Sequence, residues 1–571
     1  MSALKVGPGR RLLRRIPVRV RHYWKLLAGC VAFVLVLTVL FSTVRVQPYV
    51  TSSSDVSGDD VTQDIVGTRD LFDPTVAHDI SVTFRDADYQ RMLDTYAKDG
   101  DKEYVEADLT IDGTRIPSVG VRLKGNSTLG GLTRDGESIG GFGGRRGGPD
   151  GPAGGNGRPM LPDAGQAPGG GMFPGGRAPG GGQEPGGDAP DTGAGNPRAG
   201  GGMTRMALKA EEPETLPWLI RFDEFIDGRR YQGHREIAVR VGGIGGGSTV
   251  LNEALSLTLL DTLGETAPGY AYASFTVNDR PTTARLVVEH PGESLADGLG
   301  GSGVLYKSLA TGQFTDQGDD PTDYQDDFNQ ITKKGSQDLQ PVIDLVRWVN
   351  SSSDAEFDAD LADHVDVESL ARYVALQNLL LNFDDMAGPG RNYYLWYDLG
   401  TKKFTVVGWD YNLTFSGDAT QGPHDRISMG FPGGMQLPEG MQLPEGMQLP
   451  EGMQFPEGME LPEGMRPPGE AGAGDGGEQA GGPRGAMGGH KLKDRFLASE
   501  TFKPVYENAY RELYQAIYGT GTALEKLDGI TKVLGTVDGH DEKSVTSEAG
   551  QLRTLIQQRT SHLADDEVVK G

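Results

Sequence analysis

The sequence predicts an α+β fold, strands early and helices late, set behind one N-terminal membrane helix and broken by two long disordered Gly/Pro-rich inserts. Three observations predict it: residues 26–44 carry no charge, apolar alternation gives way to helical spacing along the chain, and two stretches rich in Gly and Pro separate the patterned segments. With 86 glycines and 34 prolines in 571 residues, the chain holds less packed domain than its length suggests, and one large domain is expected.

Residues 1–25 form a basic tail with eight Lys and Arg and no acid. The 19-residue run 26–44 that follows is close to the roughly 20 residues a membrane-crossing helix needs. Excess positive charge ahead of it leaves the N-terminus in the cytoplasm and all that follows outside the cell membrane. A cleaved signal peptide is the competing reading, but the apolar core is longer than such segments carry and no A-x-A site follows. Cys30, the single cysteine, sits inside this run, so the exported part has no thiol and its fold rests on packing. A net charge of -26 argues against a nucleic-acid partner.

A polar tether, residues 45–78, precedes the ordered domain, which is expected to begin near Asp79. Its N-terminal part, 79–133, reads as a strand over 80–84, a helix over 86–96 with Asp86 at its cap, and a hairpin turning at Asp112-Gly113. The first insert spans 134–202. The central part, 203–416, alternates strands at 218–222, 237–241, 273–277 and 285–288 with a helix over 250–263 that ends at Gly264. Helices at 339–349 and 367–381 follow, the second capped by Asp366, and then the strands YYLWYD and KFTVVGWD. The second insert, 417–489, contains MQLPEG three times, then MQFPEG and MELPEG. With a Pro and a Gly in every repeat it reads as an extended spacer rather than a β-helix. Residues 490–565 are helical by the spacing of their apolar positions.

Hydrolase signatures are near misses. GESLA at 292–296 lacks the last Gly of a nucleophile elbow, no HExxH occurs, and no cysteine outside the membrane can act as nucleophile. The run GGIGGGST, 242–249, leads into a helix whose amides could cradle phosphate, or is a flexible connection; it has neither the Lys of a Walker loop nor a complete G-x-G-x-x-G.

The densest chemistry lies at 382–412, NFDDMAGPGRNYYLWYDLGTKKFTVVGWDYN. A helix ends in paired carboxylates, a Gly-Pro-Gly turn follows, and a hairpin delivers Trp409, Asp410 and Asn412. Phosphoryl transfer requires one carboxylate to take or orient the nucleophile's proton, while another, with an Asn, holds divalent ions. The order Asp, Asn, Asp matches that requirement. The same acids could equally be helix-end and turn carboxylates with no such role.

VRLKGNST (121–128), PWLIRFDEF (217–225), LVVEH (286–290), LYK (305–307), NFDDMAGPGRNYYLWYD and VVGWDYN together resemble, in order, the motifs of the CotH family of spore-coat kinase-like proteins, from about residue 80 to 563. The resemblance implies an atypical protein-kinase-like, two-lobed fold that binds ATP with Mg or Mn and phosphorylates Ser or Thr of protein partners in the cell envelope. It implies Asp384 as catalytic acid, with Asp385 its rival because the acid is doubled. Asp410 is the implied second catalytic residue and metal ligand, joined by Asn392 and Asn412. Lys124, Arg221, Glu289 and Lys307 are implied nucleotide contacts. Arg221 stands where many relatives carry Lys, and Glu253 could be the partner of such a cation or a plain surface residue. The alternative function is a non-catalytic envelope binding or adhesion protein on the same fold.

Overall fold

The computed structural model describes residues 61–125, 128–139, 207–242, 248–300, 302–426 and 489–571, together with Lys25 and Phe33. The expected membrane helix, apart from Phe33, lies outside the described residues, as do residues 45–60 of the tether and most of both inserts. Among the described residues no helix is long and apolar enough to cross a membrane.

Seven strands close into a barrel: β1 (His78–Phe84), β2 (Val105–Ile111), β3 (Thr114–Leu123), β4 (Trp218–Arg221), β5 (Glu236–Val239), β6 (Tyr270–Val277) and β7 (Thr283–Glu289). Their order around the barrel is β5-β7-β6-β1-β2-β3-β4, with β4 paired back to β5 through Ile220 and Ile237. All neighbours are antiparallel except β6 and β1. The pattern of β2, VEADLTI, explains its place, because Val105, Ala107, Leu109 and Ile111 alternate into one core with Ile80, Val121, Ile220 and Phe275. The expected turn at Asp112-Gly113 is present, with φ of 47° and 81°, the doubly positive geometry that suits a two-residue hairpin.

Helix α1 (Asp86–Asp99) covers the barrel with Tyr89, Met92, Leu93 and Tyr96 buried at helical spacing. Its N-cap is Arg85, not Asp86. Asp86 falls one position inside, where its charge still suits the helix N-terminus. Order also begins earlier than expected, because Gln63–Ile65 pairs in parallel with Arg229–Tyr231.

The other half is built on a four-stranded antiparallel sheet of β8 (Gly303–Ser308), β9 (Phe328–Gln330), β10 (Tyr393–Asp398) and β11 (Phe404–Gly408), in the order β9-β8-β10-β11. Around it lie α2 (Leu251–Thr262), α3 (Gln340–Ser351), α4 (Asp354–His364), α5 (Val367–Leu379), α6 (Lys491–Ala498), α7 (Lys503–Tyr514), α8 (Thr522–Leu534) and α9 (Glu542–Leu563). These helices share a second core with the sheet. Asp366 caps α5 as expected, accepting from the Ser369 amide at 3.0 Å. Gly264, just past α2, takes a left-handed φ of 71° that a side chain would resist.

Both inserts are shorter than the composition implies. Residues 132–134, 137–138 and 208–209 form a small three-stranded sheet, so the first insert begins after this hairpin. At the second, residues 417–426 are packed. Arg559 on α9, with 0% of its surface exposed, donates to the carbonyls of Ala419 and Gln421 as well as to those of Asn378 and Leu379. Asn378 in turn donates to Gly422 O at 3.1 Å. One guanidinium thus serves two carbonyls of residues 417–426 and two at the C-terminal end of α5.

Candidate active site

Three cations converge on one indole. Lys124 lies one residue past β3, where its amide donates to Pro217 O at 3.0 Å, and its Nζ stands 5.3 Å from the Trp409 ring centre. Arg240 lies one residue past β5, tied by its amide to Leu286 O at 2.8 Å, with its guanidinium 5.3 Å from the same ring. Lys307, on β8, places its Nζ at 5.4 Å. Barrel and second sheet thus contribute to one cluster, and Trp409 is the floor they share.

Two carboxylates balance it. Arg240 Nη2 donates to Glu253 Oε1 at 2.6 Å and lies 2.9 Å from Asp410 Oδ1. Glu253, in the first turn of α2, is 1% exposed, so it is not a surface residue. Its partner is Arg240 rather than Arg221. Asp410 holds a left-handed φ of 59°, which turns its side chain back toward Arg240 immediately after β11.

Burial pushes the Glu253 carboxyl up to about 7, and the neighbouring Asp410 charge works in the same direction against Arg240. Burial also pushes on Asp410, but Arg240, Lys124 and Lys307 outweigh it and hold the group below the ordinary carboxylate range. Two acids around one guanidinium therefore separate into a strong and a weak one. Burial lowers the Lys124 ammonium to about 7, and Lys307 shifts downward for the same cause.

Asp384 lies close enough to feel the Asp410 charge. After α5 the chain turns through Leu381, φ 50°, and Asn382, whose Oδ1 accepts from the Asp384 amide at 3.1 Å. The Gly-Pro-Gly turn then wraps the carboxylate: Gly390 N donates to Oδ1, and Asn392 Nδ2 donates to Oδ2 at 2.9 Å and to the Asp384 carbonyl at 3.1 Å. Burial raises its carboxyl to about 6 against those donors, with Asp410 contributing to the rise. Asp385 faces elsewhere, its Oδ1 accepting from Ala387 N at 2.8 Å and its Oδ2 paired with Lys493 at the start of α6. The doubled acid is thereby divided between a cluster-facing residue and one with its own ammonium.

The turn needs its glycines. A Cβ on Gly388 would meet the Asp384 Cα at 2.5 Å, and one on Gly390 would press on the Asp384 carboxylate and sit 2.9 Å from Asn392 Nδ2. Gly390→Ala is expected to displace the Asp384 carboxylate and lower any turnover that depends on it by about 10- to 100-fold, the scale of an ångström misplacement, read as kcat with the melting temperature as control.

Other expected contacts lie apart from the cluster. Arg221 is surrounded by carboxylates, with Asp223 at 2.7 Å, Glu224 at 3.4 Å and Glu236 at 3.7 Å, which leaves it committed within the barrel. Glu289 pairs with His234 at 3.1 Å and accepts from Gly269 N at 3.0 Å. Its neighbour His290 is the residue against Trp409, edge-on with ring centres 5.5 Å apart, because successive residues face opposite sides. Asn412 engages through its carbonyl, which accepts from Asn252 Nδ2 at 2.7 Å. Among the described residues no group of three or more His, Cys, Asp and Glu side chains is placed to hold a metal ion.

Arg240 and Lys493 escaped the sequence reading. Arg240 had a signal, being the lone charge in the apolar strand IAVRV just before the glycine run. Lys493 had none, since its partner is 108 residues away across the second insert.

The α+β fold gathers three cations, one of them in a buried pair with Glu253, beside carboxylates of divergent acidity, a charge pattern compatible with phosphoryl transfer. The model of the CotH kinase protein family matches residues 209–563, more than half of the chain, and the chain belongs to that family. The match begins after β3, so Lys124 lies outside it. No curated protein sequence matches the chain.

Proposed function

We propose that the chain is an atypical two-lobed protein kinase that transfers the γ-phosphoryl group of ATP to Ser or Thr hydroxyls of envelope proteins, anchored outside the membrane by residues 26–44. The observation that carries this reading is the convergence of Lys124, Lys307 and Arg240 on Trp409 with Asp410, whose charge reaches Asp384, at Arg240. The three cations would bind phosphate oxygens, and Glu253 keeps Arg240 extended toward them.

Asp384 would accept the hydroxyl proton as the oxygen–phosphorus bond forms and the bond to ADP breaks. Its two donors fix the carboxylate in place for that transfer. Asp410 and Asn392 would hold Mg or Mn. The Asp410 carboxylate, kept anionic by Arg240 at 2.9 Å from its Oδ1 and by Lys124 and Lys307, is the hard oxygen donor such an ion takes, and the Asn392 side chain reaches toward Asp384 through its nitrogen. An ion held mainly by one carboxylate and substrate phosphates needs no larger protein cage. Such an ion would neutralise charge on the phosphate oxygens.

Incubation of the full chain with γ-labelled ATP and Mn or Mg is expected to incorporate label, and a chelator to abolish it. Absence of both incorporation and any ATP-dependent thermal shift overturns the reading, and binding to wall material without nucleotide would replace it with adhesion. The pH profile follows from two groups. Asp384 must be ionised, so kcat/KM should rise through about 6, and Lys124 must stay protonated, so it should fall above about 7. In kcat the alkaline limb should move upward, because bound phosphate favours the ammonium form.

A further inference from the structure

We infer that Glu548, on the C-terminal helix α9, is a positioning residue for the Asp410 segment, acting through the first turn of α2. Helix α2 begins without a cap of its own: Val250 at the N-cap has a left-handed φ of 54° and offers no side-chain acceptor. Glu548, about 300 residues away, instead fastens the two residues just ahead of that N-cap. Its Oε1 accepts from Ser248 N at 2.7 Å and Ser248 Oγ at 3.0 Å, and its Oε2 accepts from Thr249 N at 3.0 Å and from Thr249 Oγ1. A carboxylate at this end of the helix also meets the favourable sign of the dipole.

The turn that Glu548 secures is the one bonded to the active-site chain. Asn252 Nδ2 donates to Asn412 O at 2.7 Å and to Thr414 O at 3.2 Å. Ser256 Oγ donates to Thr414 Oγ1 at 2.8 Å, and Glu253 holds Arg240 beside Asp410. Each of these residues lies within two turns of the end that Glu548 fastens, so a shift of that end moves the side chains that orient residues 410–414. Tyr272 also tethers Thr249, through its carbonyl at 2.8 Å. That bond restrains the carbonyl side alone, and the amide and hydroxyl donors depend on Glu548. Helix α9 is thus coupled to the cleft without touching it.

The inference rests on the kinase reading only for its kinetic arm. Amide hydrogen exchange in the full chain tests the coupling directly, on peptides covering 250–257 and 409–414. Glu548→Ala is expected to accelerate exchange about tenfold in both, and Glu548→Gln, which keeps the length and the acceptor for Ser248, to accelerate both by a smaller factor. If neither variant changes 409–414, the residue is a local fastening and the inference falls; the Gln variant decides alone should the Ala variant not fold. With transfer activity in hand, Glu548→Ala should lower kcat about tenfold with little change in KM for the acceptor, and an unchanged kcat would also overturn it. A wild-type chain without transfer activity would sink the kinase reading and leave the exchange result standing.

Discussion

Asp410→Asn is expected to reduce phosphate transfer by about a thousandfold, the scale on which a preorganised charge acts at a reacting phosphate. The substitution is well suited to isolate charge. Asn tolerates the left-handed backbone that Asp410 adopts and has nearly its shape, and the anchors on either side are main-chain groups: the Trp409 amide on Asn392 O at 3.2 Å and the Asn412 carbonyl on Asn252. What disappears is the anion that balances Arg240, Lys124 and Lys307 and that would hold a divalent ion. A second consequence comes with it. Since the Asp410 charge helps keep the Glu253 carboxyl near 7, its removal should let Glu253 ionise at lower pH, measurable by carboxyl titration in the variant. Turnover at saturating ATP, compared with wild type at equal melting temperature, is the primary check, and a loss smaller than about tenfold would return Asp410 to a structural role.

Arg240→Met should cost about 3–5 kcal/mol of stability near pH 8, because it strands the buried Glu253 carboxylate and the partly exposed Asp410 with no guanidinium between them. The sign of its pH dependence is fixed. Without Arg240 both carboxyls rise in the folded state, so the folded protein binds protons more readily than the unfolded chain, and stability returns as pH falls. The deficit should therefore shrink by pH 5.5, and Arg240→Met combined with Glu253→Gln should recover much of it at pH 8. Urea unfolding at the two pH values measures this. Equal losses at both would mean that the Arg240 contribution is packing against Trp409 rather than charge.

Local rules that act within a few residues were readable. The Asp112-Gly113 turn, the Asp366 cap, the YYLWYD strand and the left-handed Gly264 each depend on neighbours in sequence, and the structure places them where the pattern does. Helix α4 carried an equally local sign, the Ser353–Glu356 capping box, that went unread because its buried face holds only Phe357 and Leu361. Strands β8 and β9 are short and flanked by glycine and acidic loops, too brief for alternation to register.

The candidate site divides along the same line. Asp384, Asn392 and Asp410 fall within one hairpin, and their proximity follows from a short connection. Arg240 reaches Glu253 across the glycine run, Lys493 reaches Asp385 across an insert, and Arg559 orders residues 417–426 from the far end of the chain. Those pairings are decided by tertiary packing, which no spacing encodes. The sequence leaves Glu253 open between a cation's partner and a surface residue, and its burial against Arg240 decides between them.

The clamp formed by Arg559 and Asn378 on one side of the second insert, and by Lys493 on the other, has a consequence for how this chain can change over time. Both stems are fastened to the helical core independently of what joins them. Closing a loop between fixed stems grows harder only logarithmically with length, so for a segment that is the extended spacer its composition predicts, one more MQLPEG unit would add on the order of 0.1 kcal/mol. Gain or loss of repeats by replication slippage would thus be nearly invisible to folding. The number of copies is left to be set by whatever the repeats meet outside the domain.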